Sequence, residues 1–114
     1  MNSTYLRFLA LVHTIDGAST QLANVDETAK HLLNVIALNH SNGKPLTVTE
    51  AMALKSIASP ATIHRKLNDL IEVGLVEQVF EGKNRRTKYL VTTKNTDKYF
   101  SSLSECMKQA LESH

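Results

Sequence analysis

The alternation of apolar and polar positions divides the chain into five helical stretches and one β-ribbon. Residues 4 to 15 repeat apolar side chains at helical spacing, with Tyr5, Phe8, Leu9 and Val12 on one face and Leu6, Leu11 and Ile15 widening it. A helix apolar around most of its circumference needs burial on more than one side. In so small a chain, a second subunit is the expected source of that extra cover. Gly17 to Asn24 reads as a polar loop. A second helix starts near Asp26, with Glu27 in its first turn, where the helix dipole favours an acid. Its buried stripe is Leu32, Leu33, Val35, Ile36 and Leu38, and N-H-S-N-G-K-P ends it.

Stronger punctuation follows. Thr47 and Glu50 have the spacing of a capping box, and Leu46 is placed to pack on Ala51 as a hydrophobic staple. That third helix is short, ending around Leu54. Ser59 and Pro60 then supply an N-cap and an N1 proline for a fourth helix. Gly74 suits the left-handed position just past its end, with Leu75 placed to touch Leu70. Ile63, Leu67, Leu70 and Ile71 share its apolar face. Leu75 to Phe80 and Thr87 to Thr92 are β-prone runs around E-G-K-N-R-R, a hairpin with Gly82 in the bend. From about Lys94 to Ser113 a long amphipathic helix carries Tyr99, Leu103, Cys106 and Ala110 on one stripe, flanked by Phe100, Met107 and Leu111.

The fold class is therefore mainly α with a small β-hairpin wing: a winged helix-turn-helix dimerising through its N- and C-terminal helices. Its 114 residues make one domain. Residues 1–24 and 94–114 are the expected dimerisation helices, and 26–93 the core that would bind a partner. The expected interface side chains are Tyr5, Phe8, Leu9, Val12, Tyr99, Leu103, Cys106 and Met107.

Charge sharpens this picture through its distribution. The formal net charge is only +2. Residues 55 to 94, however, hold eight Lys and Arg against four Asp and Glu, while the segments on either side each hold one more acid than base. Positive charge gathered on a helix followed by a hairpin is the footprint of nucleic-acid binding. Opposite the buried stripe of the fourth helix lie Ala61, Arg65 and Asn68, with Thr62 and His64 on the flanks; Ser59 and Lys66 complete the candidate surface. Asp69 and Glu72 wait until the C-terminal half, so an N-terminal half free of acids can enter the major groove. There Arg65 has the geometry for a guanine edge and Asn68 for an adenine. The plain alternative is a solvated helix face. The hairpin tip adds Lys83, Asn84, Arg85, Arg86 and Lys88. Arg86 is the preferred brace of the wing, with Lys83 and Arg85 turned to DNA.

From about residue 26 onward the chain resembles the MarR-type branch of winged helix-turn-helix regulators. The resemblance rests on L-T-V-T-E-A-M, S-P-A-T-I-H-R-K-L, L-I-E-V-G-L-V-E and the wing N-R-R-T-K-Y-L-V-T-T. Asn84 stands where the family's wing signature has Asp, Arg86 where it has Arg, and Thr92-Thr93 where it has Leu-Thr. The family's Asp helps order the wing, and Asn84 departs from the pattern at that point. What the resemblance implies is a homodimer binding double-stranded DNA, and small aromatic effectors held between dimer helices and DNA-binding domain. No residue pattern here identifies such an effector.

Other chemistries find little footing. His13, His31, His40, His64 and His114 lack metal-site spacing, so no metal is expected. There is no nucleophile–base constellation or phosphate loop, so neither catalysis nor a cofactor is expected. Cys106, the single cysteine, fits a reducing cytosol and a buried apolar site, with a thiol switch as the alternative. No apolar run is long enough to span a bilayer, and a cytoplasmic location is expected. The expected function is transcriptional regulation, as a homodimeric repressor on a palindromic site. The alternatives are a winged helix that contacts another protein, or a plasmid or phage replication or partition protein.

Overall fold

Helix ends in this chain are set by side chains that satisfy the free amides and carbonyls of each terminus. The computed structural model describes residues 3–18, 22, 25–83 and 85–112. They form α1 (Ser3–Ala18), α2 (Glu27–Ser41), α3 (Val48–Met52), α4 (Pro60–Glu72), β1 (Val76–Phe80), β2 (Lys88–Thr92) and α5 (Lys94–Glu112). Asp26 caps α2 by accepting the Ala29 N–H at 2.9 Å. Thr47 and Glu50 close a reciprocal capping box at α3, with bonds of 3.1 and 2.9 Å. Ser59 caps α4 and Pro60 opens it. At the other end of α4, Gly74 adopts φ +81°. The Leu75 N–H then reaches the Leu70 carbonyl and the Gly74 N–H the Ile71 carbonyl, which is the Schellman closure.

These caps aim the apolar faces at one core. Leu32, Leu33 and Ile36 of α2 meet Ile63, Leu67 and Leu70 of α4, and Ala51, Leu75, Val76 and Leu90 close the cluster. β1 and β2 are antiparallel, with Val76 opposite Thr92 and Phe80 opposite Lys88. A third rung, not foreseen from the two-stranded pattern, pairs Thr47 with Tyr89, and the Leu90 N–H donates to the Leu46 carbonyl at 2.8 Å. It ties the wing to the start of α3. A one-residue bridge has no period, so the sequence pattern does not show it.

The stretch Gly17 to Asn24 departs from a simple polar loop. α1 continues through Gly17 and Ala18, Leu22 is buried in the core, and Val25 beyond it is buried as well. Isolated apolar plugs between polar neighbours carry no periodic signal. Positions 19–21, 23 and 24 of that loop lie outside the described residues.

α1 packs along α5, where Cys106 is buried beside Leu11 and Ile15, and Ala110 is buried one turn further on. Only Thr93 separates β2 from α5. The start of α5 is moored to the chain before β1: Thr93 donates to the Gly74 carbonyl at 2.6 Å, and Thr96, fully buried, donates to that of Leu75. His40, near the end of α2, accepts the Thr92 N–H on Nδ1 at 3.1 Å, which puts the ring proton of the neutral imidazole on Nε2. The Cα radius of gyration is 15.6 Å, against about 13 Å for a compact chain of this length. The excess is the α1/α5 pair standing out from the winged core. Among the described residues no helix is long and apolar enough to cross a membrane.

Two stability predictions follow from these caps. Gly74→Ala places a side chain at φ +81° and should cost about 1–2 kcal/mol in urea unfolding. Asp26 also receives the Lys66 ammonium, and that hydrogen bond, followed by the Ala29 amide, holds its carboxyl below the ordinary 3.8. A lowered carboxylate pKa stabilises the fold above its unfolded value, and the gain is lost as pH falls through the folded value. Asp26→Asn keeps a competent N-cap but removes the charge. At about pH 7 the variant should be less stable by no more than about 0.2–1 kcal/mol, because the pair is partly exposed. Thermal melts in acid, well below 3.8, should bring variant and wild type together.

Candidate nucleic-acid interface

Because Ile63, Leu67 and Leu70 point into the core, the opposite side of α4 is turned outward. Ala61, His64, Arg65 and Asn68 are exposed there, in line with Ser59 at the cap. No acid occurs between Ser59 and Asn68. Ser59 Oγ accepts the Thr62 N–H at 3.3 Å and donates to Thr62 Oγ1 at 3.0 Å, so both hydroxyls are held at the helix start. His64 and Asn68 lie one turn apart, with Asn68 Nδ2 3.4 Å from His64 Nδ1. Lys66 belongs to a different side: its ammonium pairs with Asp26, the N-cap of α2. Sequence position grouped it with the reading face, but the turn of the helix carries it to the flank.

The hairpin stands next in the chain. Gly82 takes φ +57° in its bend, and Lys83, Arg85, Arg86 and Lys88 are all exposed. Asn84 lies outside the described residues. The Arg85 guanidinium sits 5.4 Å from the centre of the Phe80 ring. Such an exposed cation–π contact contributes about 0.5–1 kcal/mol, which accounts for a phenylalanine left open at the end of β1. Phe80 was not among the expected site residues; an aromatic side chain at the strand end before a basic loop was the available signal. Arg86 borders a cleft of about 460 Å³ between the start of α3 and the wing, with Thr47, Thr49, Gln78 and Lys88. Arg85 therefore rests on its own strand, and Arg86 faces the helix-turn-helix.

The expected interface residues fall into three groups. Tyr5 and Met107 are exposed, at 57% and 56%. Phe8, Leu9, Val12, Tyr99 and Leu103 are half-buried around a cavity of about 620 Å³ among α1, α2 and α5. Cys106 is buried within the chain itself, on the side of α5 toward α1. Leu6, Leu38 and Leu111 add exposed apolar surface that the sequence reading left out of the interface. A second, larger cavity of about 740 Å³ opens between α2 and α5, bordered by Leu38, His40, Phe100, Leu103 and Met107.

Asp16, near the end of α1, closes the seam. Its Oδ2 receives Lys30 Nζ at 2.8 Å and its Oδ1 the Tyr99 hydroxyl at 3.1 Å. Burial opposes the charge on Lys30, but the hydrogen bond and charge of Asp16 outweigh it and hold the ammonium above its usual range. Burial, reinforced by Asp16, pushes the Tyr99 hydroxyl up as well. Both groups keep their protons over the whole physiological range.

No protein-family model matches this sequence, and no curated protein matches it. Solved structures do. Rv1404 from Mycobacterium tuberculosis superposes with a TM-score of 0.65 at 17% identity, over 94% of this chain and 65% of that one. The transcriptional regulator Tm0710 from Thermotoga maritima gives 0.65 at 12% identity, over 96% and 68%. A MarR protein from Peptoclostridium difficile gives 0.54 at 19% identity, over 98% and 72%. The chain thus spans about two thirds of the length of these structures. At such identities the likeness concerns architecture, and it extends from α1 through the wing to α5: the chain has a MarR-type winged helix-turn-helix fold.

Proposed function

We propose that the protein is a sequence-specific double-stranded-DNA-binding transcriptional regulator, a homodimeric repressor acting on a palindromic site. One observation carries the reading. The outward face of α4 is free of acids from Ser59 through Asn68, presents Arg65 and Asn68, and is followed by a hairpin with four exposed cations. In that arrangement α4 enters the major groove, where Arg65 reads a guanine and Asn68 an adenine. Lys83, Arg85 and Lys88 lie over the flanking phosphates, while Arg86 braces the wing against the start of α3. The fold shared with the transcriptional regulator Tm0710 supports regulation rather than catalysis.

Dimerisation has its own support. Tyr5, Leu6, Met107 and Leu111 leave a large apolar surface on the outer α1/α5 pair, and surfaces of that kind mark contact sites. Two modules on one palindrome multiply a modest half-site affinity through effective concentration. The cavity between α2 and α5 is the place where a small apolar effector would act on this arrangement.

The first experiment is a salt titration of binding to random-sequence duplex DNA, with the mass in solution measured alongside. A dimer whose affinity falls log-linearly with salt is the expected result; a folded protein that ignores duplex DNA at low salt would transfer the surface to a protein partner. On a duplex selected from a random pool, Arg65→Ala should cost about 1–3 kcal/mol and relax base choice at one position. Lys83→Ala should weaken all duplexes nearly alike and lower the salt slope by about one. Unchanged sequence preference in Arg65→Ala would remove α4 from the reading role.

A further inference from the structure

Besides the packing of Tyr99 and Phe100 on the core, two polar attachments hold the α1/α5 pair to the winged core. One is the mooring of the α5 N-terminus, where Thr93, Asn95 and Thr96 bond the carbonyls of Gly74 and Leu75. An elongated pair held only at that end would pivot about it. The other is the Asp16 carboxylate, which joins three helices at once: Lys30 of α2 on one oxygen and Tyr99 of α5 on the other. Glu27 approaches the same ammonium at 3.4 Å. α1 packs extensively on α5 and only lightly on the remaining elements, so little else fixes its direction relative to α2. The Asp16 and Lys30 side chains keep 19% and 21% of their exposure. A partner left alone there is poorly solvated, and relief requires the helices to shift.

We propose that Asp16 is a positioning residue for DNA recognition: it fixes the angle between the α1/α5 pair and the winged core, and through it the separation of the two reading helices in the dimer. This inference rests on the dimeric DNA-binding reading above. The reading helices of a two-fold dimer must meet half-sites about 34–36 Å apart. The 19 residues of α5 extend about 28 Å. A swing of about 10° at its root moves the far end by about 5 Å, more than the 3.4 Å rise of one base pair. An arm held by a largely covered carboxylate gives one spacing; a loosened arm tolerates several.

The test uses the full chain and the palindromic duplex recovered by selection, with its spacer lengthened or shortened by one and two base pairs, beside a duplex holding a single half-site. Wild type should prefer one spacing sharply. Asp16→Asn, nearly unchanged in shape, should flatten that preference by about tenfold while single-half-site affinity and base choice stay as they were. Tyr99→Phe keeps the ring beside Phe100, with centroids 5.9 Å apart, and should flatten it less. It also carries the test if Asp16→Asn does not fold. A spacing profile unchanged in the folded variants overturns the proposal, and so does an equal loss on every duplex including the half-site, which is what general destabilisation would give. A wild-type protein indifferent to spacing overturns it too. If wild type binds no duplex at all, the DNA-binding reading fails first and this one falls with it.

Discussion

The apolar seam in which Leu32, Leu33 and Ile36 of α2 meet Ile63, Leu67 and Leu70 of α4 decides where every other part of the molecule can be. Each fully buried Leu or Ile contributes about 1.5–3 kcal/mol, whereas a partly exposed ion pair such as Asp26–Lys66 contributes about 0.2–1 kcal/mol. The seam therefore sets the roll of α4 about its own axis, and the ion pair only trims it. Once that roll is fixed, Arg65 and Asn68 have to face solvent. The Schellman closure at Gly74 then reverses the chain, so that β1 starts beside the helix it has just left. The position of the wing is a consequence of the seam.

Electrostatics operate on a smaller scale and divide by location. Around α4 and the hairpin the cations are exposed and their countercharges few, with Asp26 taking up Lys66 on the flank. Between α1, α2 and α5, Asp16 and Lys30 are largely covered and paired with each other; the exposed Glu27 also approaches Lys30, and Asp16 accepts the Tyr99 hydroxyl as well. Exposed charges act over distance and weaken with salt. Covered charges act over one bond length and impose geometry. The same residue types thus stand open to solvent at one end of the molecule and hold helices at the other.

Much of the architecture was legible because its signals are local. Ser59-Pro60 and Gly74 delimit α4 through single-residue cap chemistry, and Thr47 with Glu50 does the same for α3. The outward face of α4, free of acids from Ser59 through Asn68, follows from periodicity and residue identity. What escaped depends on residues far apart in sequence. Leu22 and Val25 are core residues only because α2 and its neighbours arrive to cover them. The Leu46–Leu90 rung, the Asp16–Lys30–Tyr99 cluster and the His40–Thr92 bond each join separate elements and leave no spacing to detect. Lys66 shows the limit within one helix, since a flank position faces outward or inward according to which partner, here Asp26, lies beside it. Cys106 shows it between helices: an apolar stripe on α5 predicts burial, but α1 of the same chain supplies it.

The single residue between β2 and α5 has a thermodynamic consequence. With Thr93 bonded to Gly74 and Thr96 to Leu75, the hairpin and the long helix have no slack between them, and His40 clamps the same joint from α2. A displacement of the root of α5 is then also a displacement of the wing. Binding at two places on such a coupled body obeys reciprocity. Whatever occupies the cavity beside α5 and alters the affinity for a wing-bound partner by some factor must itself be bound tighter or weaker by that same factor when the partner is present. Saturation at either end is thus a reporter of the other, and the coupling free energy can be measured from whichever side is easier to titrate.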